Sequence, residues 1–333
     1  MIFLGIETSC DETAASVISA QEKEPRASYN ILSSIVSSQY VHSQYGGVIP
    51  ELASRAHIQL IVPITQTALD VAKINYQDLD GIAVTYAPGL VGALLVGLSF
   101  TKALSLSLNK PFIGVNHLEG HIFSLLLSYP ELNPPFLAMI ISGGHTELLL
   151  IKGLCDYEQL GSTTDDACGE AFDKVARMLG LPYPGGAFIE KLALTGKRTV
   201  KFPVPDIPDY DFSFSGLKTA VLYYLQKEKN PVKENVAYSF QETVSDFLLK
   251  KIDRAADHYK INRIGISGGV AINKRIQERF SQYGKEHNLQ FYFPNPQMCT
   301  DNAAMIAAAG IERYKRFGPS PLSLTAEARV KLI

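Results

Sequence analysis

Apolar residues along this chain fall into short unbroken runs, each followed by a compact polar stretch. Residues 2–6 form one such run; Glu7-Thr8-Ser9-Cys10-Asp11-Glu12-Thr13 interrupts it, and residues 14–18 resume it. Short apolar runs bounded by turn formers read as buried strands, so the pattern predicts strand, tight polar turn, strand. Residues 136–141 repeat the arrangement, passing through Ser142-Gly143-Gly144-His145-Thr146-Glu147 and out along 148–151. Two copies in separate halves predict a duplicated α/β architecture with one turn from each half facing a shared cleft.

Other stretches carry the helical period. Apolar positions at Leu52, Ile58, Leu60, Ile61, Ile64, Leu69 and Val71 predict a helix over 50–75, with His57 as a structural residue inside it. Residues 81–85 read as a strand, and the loop 87–90 opens onto a Gly- and Ala-rich helix over 91–108 that suits close packing on a sheet. A strand at 112–115 leads directly into Asn116-His117-Leu118-Glu119-Gly120-His121 and a further apolar run. Residues 165–260 read as mainly helical, clearest over 165–180; residues 263–273 read as strand, glycine turn and helix, and residues 298–302 cap a helix of Ala and Ile. Pro130, Pro134 and Pro135 break the chain. The expected lobes are therefore 1–132 with a C-terminal return of 300–333, and 133–299 with a helical insertion over about 165–260.

Composition narrows the partners more than the fold. The 333 residues exceed what one core usually fills, and 46% hydrophobic with 19% charged residues gives ample material for two. A formal charge of -2 supplies no general attraction to nucleic acid or an acidic membrane, so any such partner must meet a local patch or be delivered by another subunit. Cys10, Cys155, Cys168 and Cys299 are scattered without C-x-x-C spacing, which argues against a disulfide framework and a zinc knuckle. With no basic leader and no run near the roughly 20 apolar residues of a membrane span, the expected compartment is the cytoplasm.

The chemistry centres on His117 and His121. On a helix, residues four apart share a face, so both imidazoles can reach one metal ion. A zinc protease also uses two histidines four apart, as H-E-x-x-H. Here the order is H-x-E-x-H, which turns Glu119 by about 100° away from the position of the general base. Asp301, after an irregular loop, reads equally as a helix N-cap or as a third ligand, and Asp173 alone reads as helix surface. Glycine turns at 142–144, 184–186 and 267–269 together favour a nucleotide, although neither G-x-x-x-x-G-K-[ST] nor an N-terminal G-x-G-x-x-G is present.

The segments GIETSCDETAASV, NHLEGH, ISGGHTEL, GEAFDKVARMLGLPYPGG, FSFSGLKTA, ISGGVAIN and CTDNAAMIA stand in this order across nearly the whole chain. Together they resemble the bacterial TsaD branch of the universal tRNA threonylcarbamoyladenosine transferases, formerly labelled O-sialoglycoprotein endopeptidases. The resemblance implies a duplicated actin-like (ASKHA, sugar-kinase-like) α/β fold, two lobes around a nucleotide cleft. It implies that His117, His121 and Asp301 hold one divalent metal, Fe2+ or Zn2+. Ile140, Ile141, Ser142, Gly143, Gly144, Asp173, Gly186, Glu190 and Asn273 would hold the adenylate, in a cleft that ATP or ADP can also occupy. Ile272 departs from the pattern, where relatives often have a smaller residue.

The implied reaction moves a threonylcarbamoyl group from threonylcarbamoyl-AMP to N6 of the adenosine immediately 3′ of the anticodon, in tRNAs reading codons that begin with adenine. An exocyclic amine must lose a proton to react, so a carboxylate is expected beside it, Asp11 first and Glu12 second. Implied partners are the anticodon loop of tRNA, a TsaB-like silent paralogue, a TsaE-like ATPase and a TsaC-like enzyme that supplies the adenylate. Two other classes compete: an ATP-binding regulatory or scaffold subunit, and a metalloendopeptidase, which the place of Glu119 disfavours.

Overall fold

The computed structural model describes residues 1–23, 26–39, 42 and 45–332. The chain divides into two compact units, Met1–Glu131 with Thr300–Ile333, and Leu132–Cys299. In the first, β1 (Ile2–Glu7), β2 (Glu12–Gln21) and β3 (Ser28–Ser38) precede α1 (Pro50–Ala72), β4 (Gly81–Ala87), α2 (Val91–Leu108), β5 (Phe112–Asn116) and α3 (His117–Ser128). In the second, β6 (Phe136–Ile141), β7 (Thr146–Gly153) and β8 (Asp156–Ser162) precede α4 (Cys168–Met178), α5 (Gly185–Ala193), α6 (Ser215–Lys227) and α7 (Lys233–Tyr259). That unit ends with β9 (Arg263–Ser267), α8 (Lys274–His287), β10 (Gln290–Tyr292) and α9 (Pro296–Cys299), and α10 (Ala303–Phe317) then returns to the first.

The two sheets share one topology. Their strand orders are β3-β2-β1-β4-β5 and, read from the equivalent edge, β8-β7-β6-β9-β10. Each opens with two antiparallel pairings, β1 with β2 and β2 with β3 in one sheet, β6 with β7 and β7 with β8 in the other. Each then continues with parallel pairings to its last two strands. The repeated strand-turn-strand pattern is thus the visible part of a full duplication. Strands β3 and β8 have no counterpart in the hydrophobic pattern, because both are polar edge strands. Within Ser28–Ser38 only the central Ser33 is buried, and within Asp156–Ser162 only Gly161.

Alternation along β1 decides what reaches the site. Leu4 and Ile6 pack with Ile61, Ile64, Leu69 and Leu98 of α1 and α2. Phe3, Gly5 and Glu7 take the other face, where the Phe3 ring lies 5.8 Å from that of Tyr314 on α10. Helix α10 is buried from Ala303 to Ile311, and apart from Met305, Ile306 and Ile311 every residue over that length is Ala or Gly. A Cβ on Gly5 would stand 2.1 Å from the Ala303 carbonyl oxygen, and one on Gly120 would stand 2.7 Å from Ile306 Cδ1. These two glycines let α10 sit directly against β1 and α3.

Helix boundaries differ from the sequence expectation in several places; α1, for one, ends at Ala72 instead of 75. The clearest predicted helix starts at Cys168 instead of 165, since Asp165 accepts from the Phe214 backbone N–H at 2.8 Å and Asp166 accepts from Lys174 and Lys218. Such side-chain bonds compete with helix initiation. The helix after the last glycine turn starts at Lys274, with a 3-10 turn over Gly269–Ile272 before it. Helix α2 is long and apolar enough to cross a membrane by length and composition, against the expectation that no run comes near a span. One face of it, Ala93, Leu94, Gly97, Leu98, Thr101 and Ser105, is buried within the first unit.

Gly5→Ala forces β1 and α10 apart against backbone, and overpacking of this kind costs about 1–3 kcal/mol. The expected result is a lower urea midpoint at unchanged m-value; a midpoint equal to wild type would show that α10 does not need this close approach.

Candidate metal centre and adenylate site

Helix α3 begins without a linker after β5. Asn116 ends the strand and caps the helix, its Oδ1 accepting from the Leu118 N–H at 2.9 Å. His117 and His121 follow on one face, both buried, with rings 4.8 Å apart and nearly perpendicular. Asp301 arrives from the other end of the chain. The N-cap of α10 is Asn302, whose Oδ1 accepts from Met305 N at 3.0 Å, so the capping role considered for Asp301 belongs to its neighbour. Asp301 Oδ1 instead lies 3.4 Å from His117 Nε2 and 3.5 Å from His121 Nε2.

The ligand atoms of the three residues all lie within 4.8 Å of one another. Ligands bonded at about 2.1 Å in a tetrahedron stand about 3.4 Å apart, which the 3.4 and 3.5 Å separations of Asp301 from the two imidazoles match. The surrounding carboxylates favour positive charge at this place, whether a proton or a metal ion that would replace it. Burial opposes a charge on His117, but the Asp301 and Glu7 carboxylates outweigh it and hold its pKa well above the usual histidine value. Burial pushes His121 down, towards the neutral form that ligates. Asp301 is driven the other way: burial alone would raise it, and His117 and His121 hold it far below the usual carboxylate range.

The turn between β1 and β2 brings further carboxylates to this place. Asp11 and Glu12 are half-buried there. Burial pushes the Glu12 carboxyl up to about 9, helped by Asp301, Asp11 and Glu7, all of them negative. Crowded acidic groups of this kind favour a cation. The turn itself is pinned from α1 and α2: His57 Nε2 is 2.9 Å from the Cys10 carbonyl and its Nδ1 2.8 Å from Thr13 Oγ1, while Leu90 N donates to the Ser9 carbonyl at 2.8 Å. The carbonyl can only accept, so His57 carries its proton on Nε2, consistent with a structural residue.

Glu119 is fully buried and its Oε2 lies 3.1 Å from Arg313 Nη1, tying α3 to α10. That pairing serves helix structure. The carboxylate beside His117 is Glu7, which the sequence motifs do not single out; its Oε2 lies 3.1 Å from His117 Nδ1. A signal is present, since a carboxylate ending an otherwise apolar strand demands a buried partner.

In the second unit, the predicted adenylate residues fall into two groups. Ile140 and Ile141 are fully buried strand residues, paired with Glu147 and Thr146, so only their backbone can serve a ligand. The following turn is tight, with Ser142 N donating to the His145 carbonyl at 2.9 Å and His145 N to Ser142 Oγ at 3.1 Å. Gly143 and Gly144 are exposed, and a Cβ on either would meet open space. Gly268, at φ +96°, passes so close that a Cβ would stand 2.4 Å from the Ile141 carbonyl. The other group meets around α5. Asp173 Oδ1 accepts from Gly185 N at 2.6 Å, so Asp173 anchors the start of α5 and is more than helix surface; burial raises its pKa. Glu190 Oε1 accepts from Lys274 N at 2.7 Å, next to Asn273, which caps α8 through Ile276 N and bonds Gln241 Oε1 at 2.7 Å. Gly186 lies at the start of α5, open above its Cα.

A family model described as TsaD, tRNA N6-adenosine threonylcarbamoyltransferase, matches residues 30–308. The chain belongs to the tRNA N6-adenosine threonylcarbamoyltransferase family. It is similar to curated members from Thermosipho melanesiensis, 52% identical over the full length of both chains, and from Kosmotoga olearia, 49% identical over 98% of this chain and 97% of that one. Among solved structures it resembles T. kodakarensis HypF (TM-score 0.65, 15% identity, covering 94% of this chain and 48% of that one). It also resembles component A of the (R)-2-hydroxyglutaryl-CoA dehydratase of Acidaminococcus fermentans (TM-score 0.57, 12% identity, covering 95% and 99%). At such identities these likenesses speak for the fold alone, which is the duplicated actin-like α/β fold.

Between pH 4.5 and about 9 the folded protein keeps a proton on Glu12 that the unfolded chain has released, so stability falls as pH rises through that window. In metal-stripped protein, Glu12→Gln is expected to be more stable than wild type near pH 8, with the difference shrinking towards pH 5. Urea midpoints at the two pH values check this; a difference independent of pH would contradict the burial of a protonated Glu12.

Proposed function

We propose that this transferase moves the threonylcarbamoyl group of threonylcarbamoyl-AMP to N6 of the adenosine 3′ of the anticodon, in tRNAs reading codons that begin with adenine. The observation that carries the reading is the convergence of His117, His121 and Asp301 beside the acidic turn, in a chain of this family. His117 Nε2, His121 Nε2 and Asp301 would hold Fe2+ or Zn2+, which when bound supplies Lewis acidity at a carbonyl oxygen.

The turn 142–144, with Asp173, Gly186, Glu190 and Asn273, holds the adenylate by backbone groups and by the helix starts they fix. The N6 amine adds to the carbamoyl carbon, the bond from that carbon to the phosphate oxygen breaks, and AMP leaves. Asp11 takes the proton that N6 releases. Glu12 keeps its own proton near neutral pH and takes the base role only where a cation lowers its pKa. The work on tRNA sets the compartment as the cytoplasm. A charge of -2 makes tRNA capture by the chain alone weak, and partner subunits supply the missing affinity.

The surface of α1 and α2 supports a protein partner. Ile58 and Val62 are one turn apart and exposed on α1, and Val91, Leu95 and Leu106 share one exposed face of α2. The helices touch where a Cβ on Gly92 would stand 2.5 Å from Ser54 Oγ. Apolar strips on neighbouring helices mark an interaction surface, which we assign to the TsaB-like paralogue. The TsaE-like ATPase and the TsaC-like adenylate supplier complete the system.

Reconstitution with synthetic threonylcarbamoyl-AMP, tRNA and the partner proteins tests the reaction. Asp11→Asn is expected to lower turnover by about 10²- to 10⁴-fold with the fold intact, and His117→Ala or a chelator to abolish modified nucleoside; near-normal product from His117→Ala would indicate a scaffold instead. Separately, Leu95→Glu should remove co-elution with the paralogue while leaving the circular dichroism spectrum unchanged. Retained co-elution would place the partner elsewhere.

A further inference from the structure

We propose that Glu7 is the positioning residue of the metal centre: a buried carboxylate that aims His117 and raises the affinity of the site for a divalent cation. The inference rests on the metal reading above and concerns a residue outside the ligand set.

Glu7 is the last residue of β1, fully buried, on the strand face that also carries Phe3 and Gly5. Burying a carboxylate is costly unless its oxygens are satisfied. Three donors satisfy Glu7. Its Oε1 accepts from Ser9 N at 2.5 Å, and its Oε2 accepts from Thr85 Oγ1 at 2.5 Å and lies 3.1 Å from His117 Nδ1. An ionised carboxylate only accepts, so the proton of that last contact sits on Nδ1. His117 then turns Nε2 towards His121 and Asp301, and a metal bound there would take the place of any proton on that nitrogen.

The arrangement has no tolerance for an amide. A glutamine offers one acceptor and one donor, so either its NH2 faces the Ser9 N–H, or it faces Thr85 and His117. The first sets donor against donor in a buried place; the second makes Thr85 Oγ1 and His117 Nδ1 accept, which moves the ring proton to Nε2, the nitrogen turned towards Asp301. The carboxylate also carries a negative charge one imidazole away from the ion, which makes the ring a stronger ligand. Thr85, itself fully buried on the adjacent parallel strand, fixes which way Oε2 points.

Metal-stripped full-length protein is titrated with Zn2+ against a chromophoric chelator, with thermal unfolding recorded in parallel. Glu7→Gln is expected to raise the Zn2+ dissociation constant by about 10- to 100-fold, the range typical when a partner behind a ligating histidine is lost. Thr85→Val, which keeps the carboxylate and the volume, is expected to shift it in the same direction by a smaller factor, and it serves as the test where Glu7→Gln does not fold. A merely structural Glu7 would lower the unfolding temperature and leave the affinity of the folded protein unchanged. Affinity within twofold of wild type in the folded variant therefore overturns the inference. Wild-type protein that takes up no Zn2+ would overturn the metal reading itself, and this inference with it.

Discussion

The candidate metal centre depends on how closely α10 can approach β1 and α3. Asp301 lies far beyond His121 in the chain, and it reaches the histidines only because α10 is seated with its N-terminus beside them. The seat is made of absences: Gly5 under Ala303, Gly120 under Ile306, and a run of alanines along the buried helix face. Close packing with small residues trades apolar area for proximity. The Glu119–Arg313 pair then fixes α10 along α3, so the two ends of the chain are held in one register.

On that seat, opposite charges are arranged in layers. Asp301 faces both imidazoles; Glu7 stands behind one of them; Asp11 and Glu12 crowd the same region from the turn. Burial first, and then the neighbouring carboxylates, push the Glu12 carboxyl up to about 9. A site that concentrates negative potential around two histidines is poised for a cation. His57 and the Ser9 carbonyl bond to α2 keep the turn from relaxing away from this crowding of like charges.

Duplication gave the chain two equivalent hairpins that now serve different chemistry. In the first unit the turn is rich in hydroxyls and carboxylates and sits beside His117 and His121. In the second, the corresponding turn is Ser142-Gly143-Gly144, with bare backbone exposed and glycines closing in from α4 and β9. Acidic side chains suit a cation and a proton transfer; open glycine backbone suits an anionic ligand.

Sequence alone determined the elements whose physics is local. Hairpins announced themselves through apolar runs broken by polar turns, α1 and α2 through helical spacing, and the pair His117 and His121 through a four-residue interval that any helix places on one face. The resemblance of the ordered motifs added the family. Polar edge strands such as β3 escaped, since an edge strand needs no apolar face to be held by its neighbour. Only the tertiary structure gave the N-cap of α10 to Asn302 and brought Asp301 beside the histidines, because both turned on where a helix from the far end of the chain came to rest. It also exposed Glu7, whose role lies in three donors drawn from a turn, a parallel strand and a distant helix. Contacts of that kind are set by packing between elements, and no spacing along the chain encodes them.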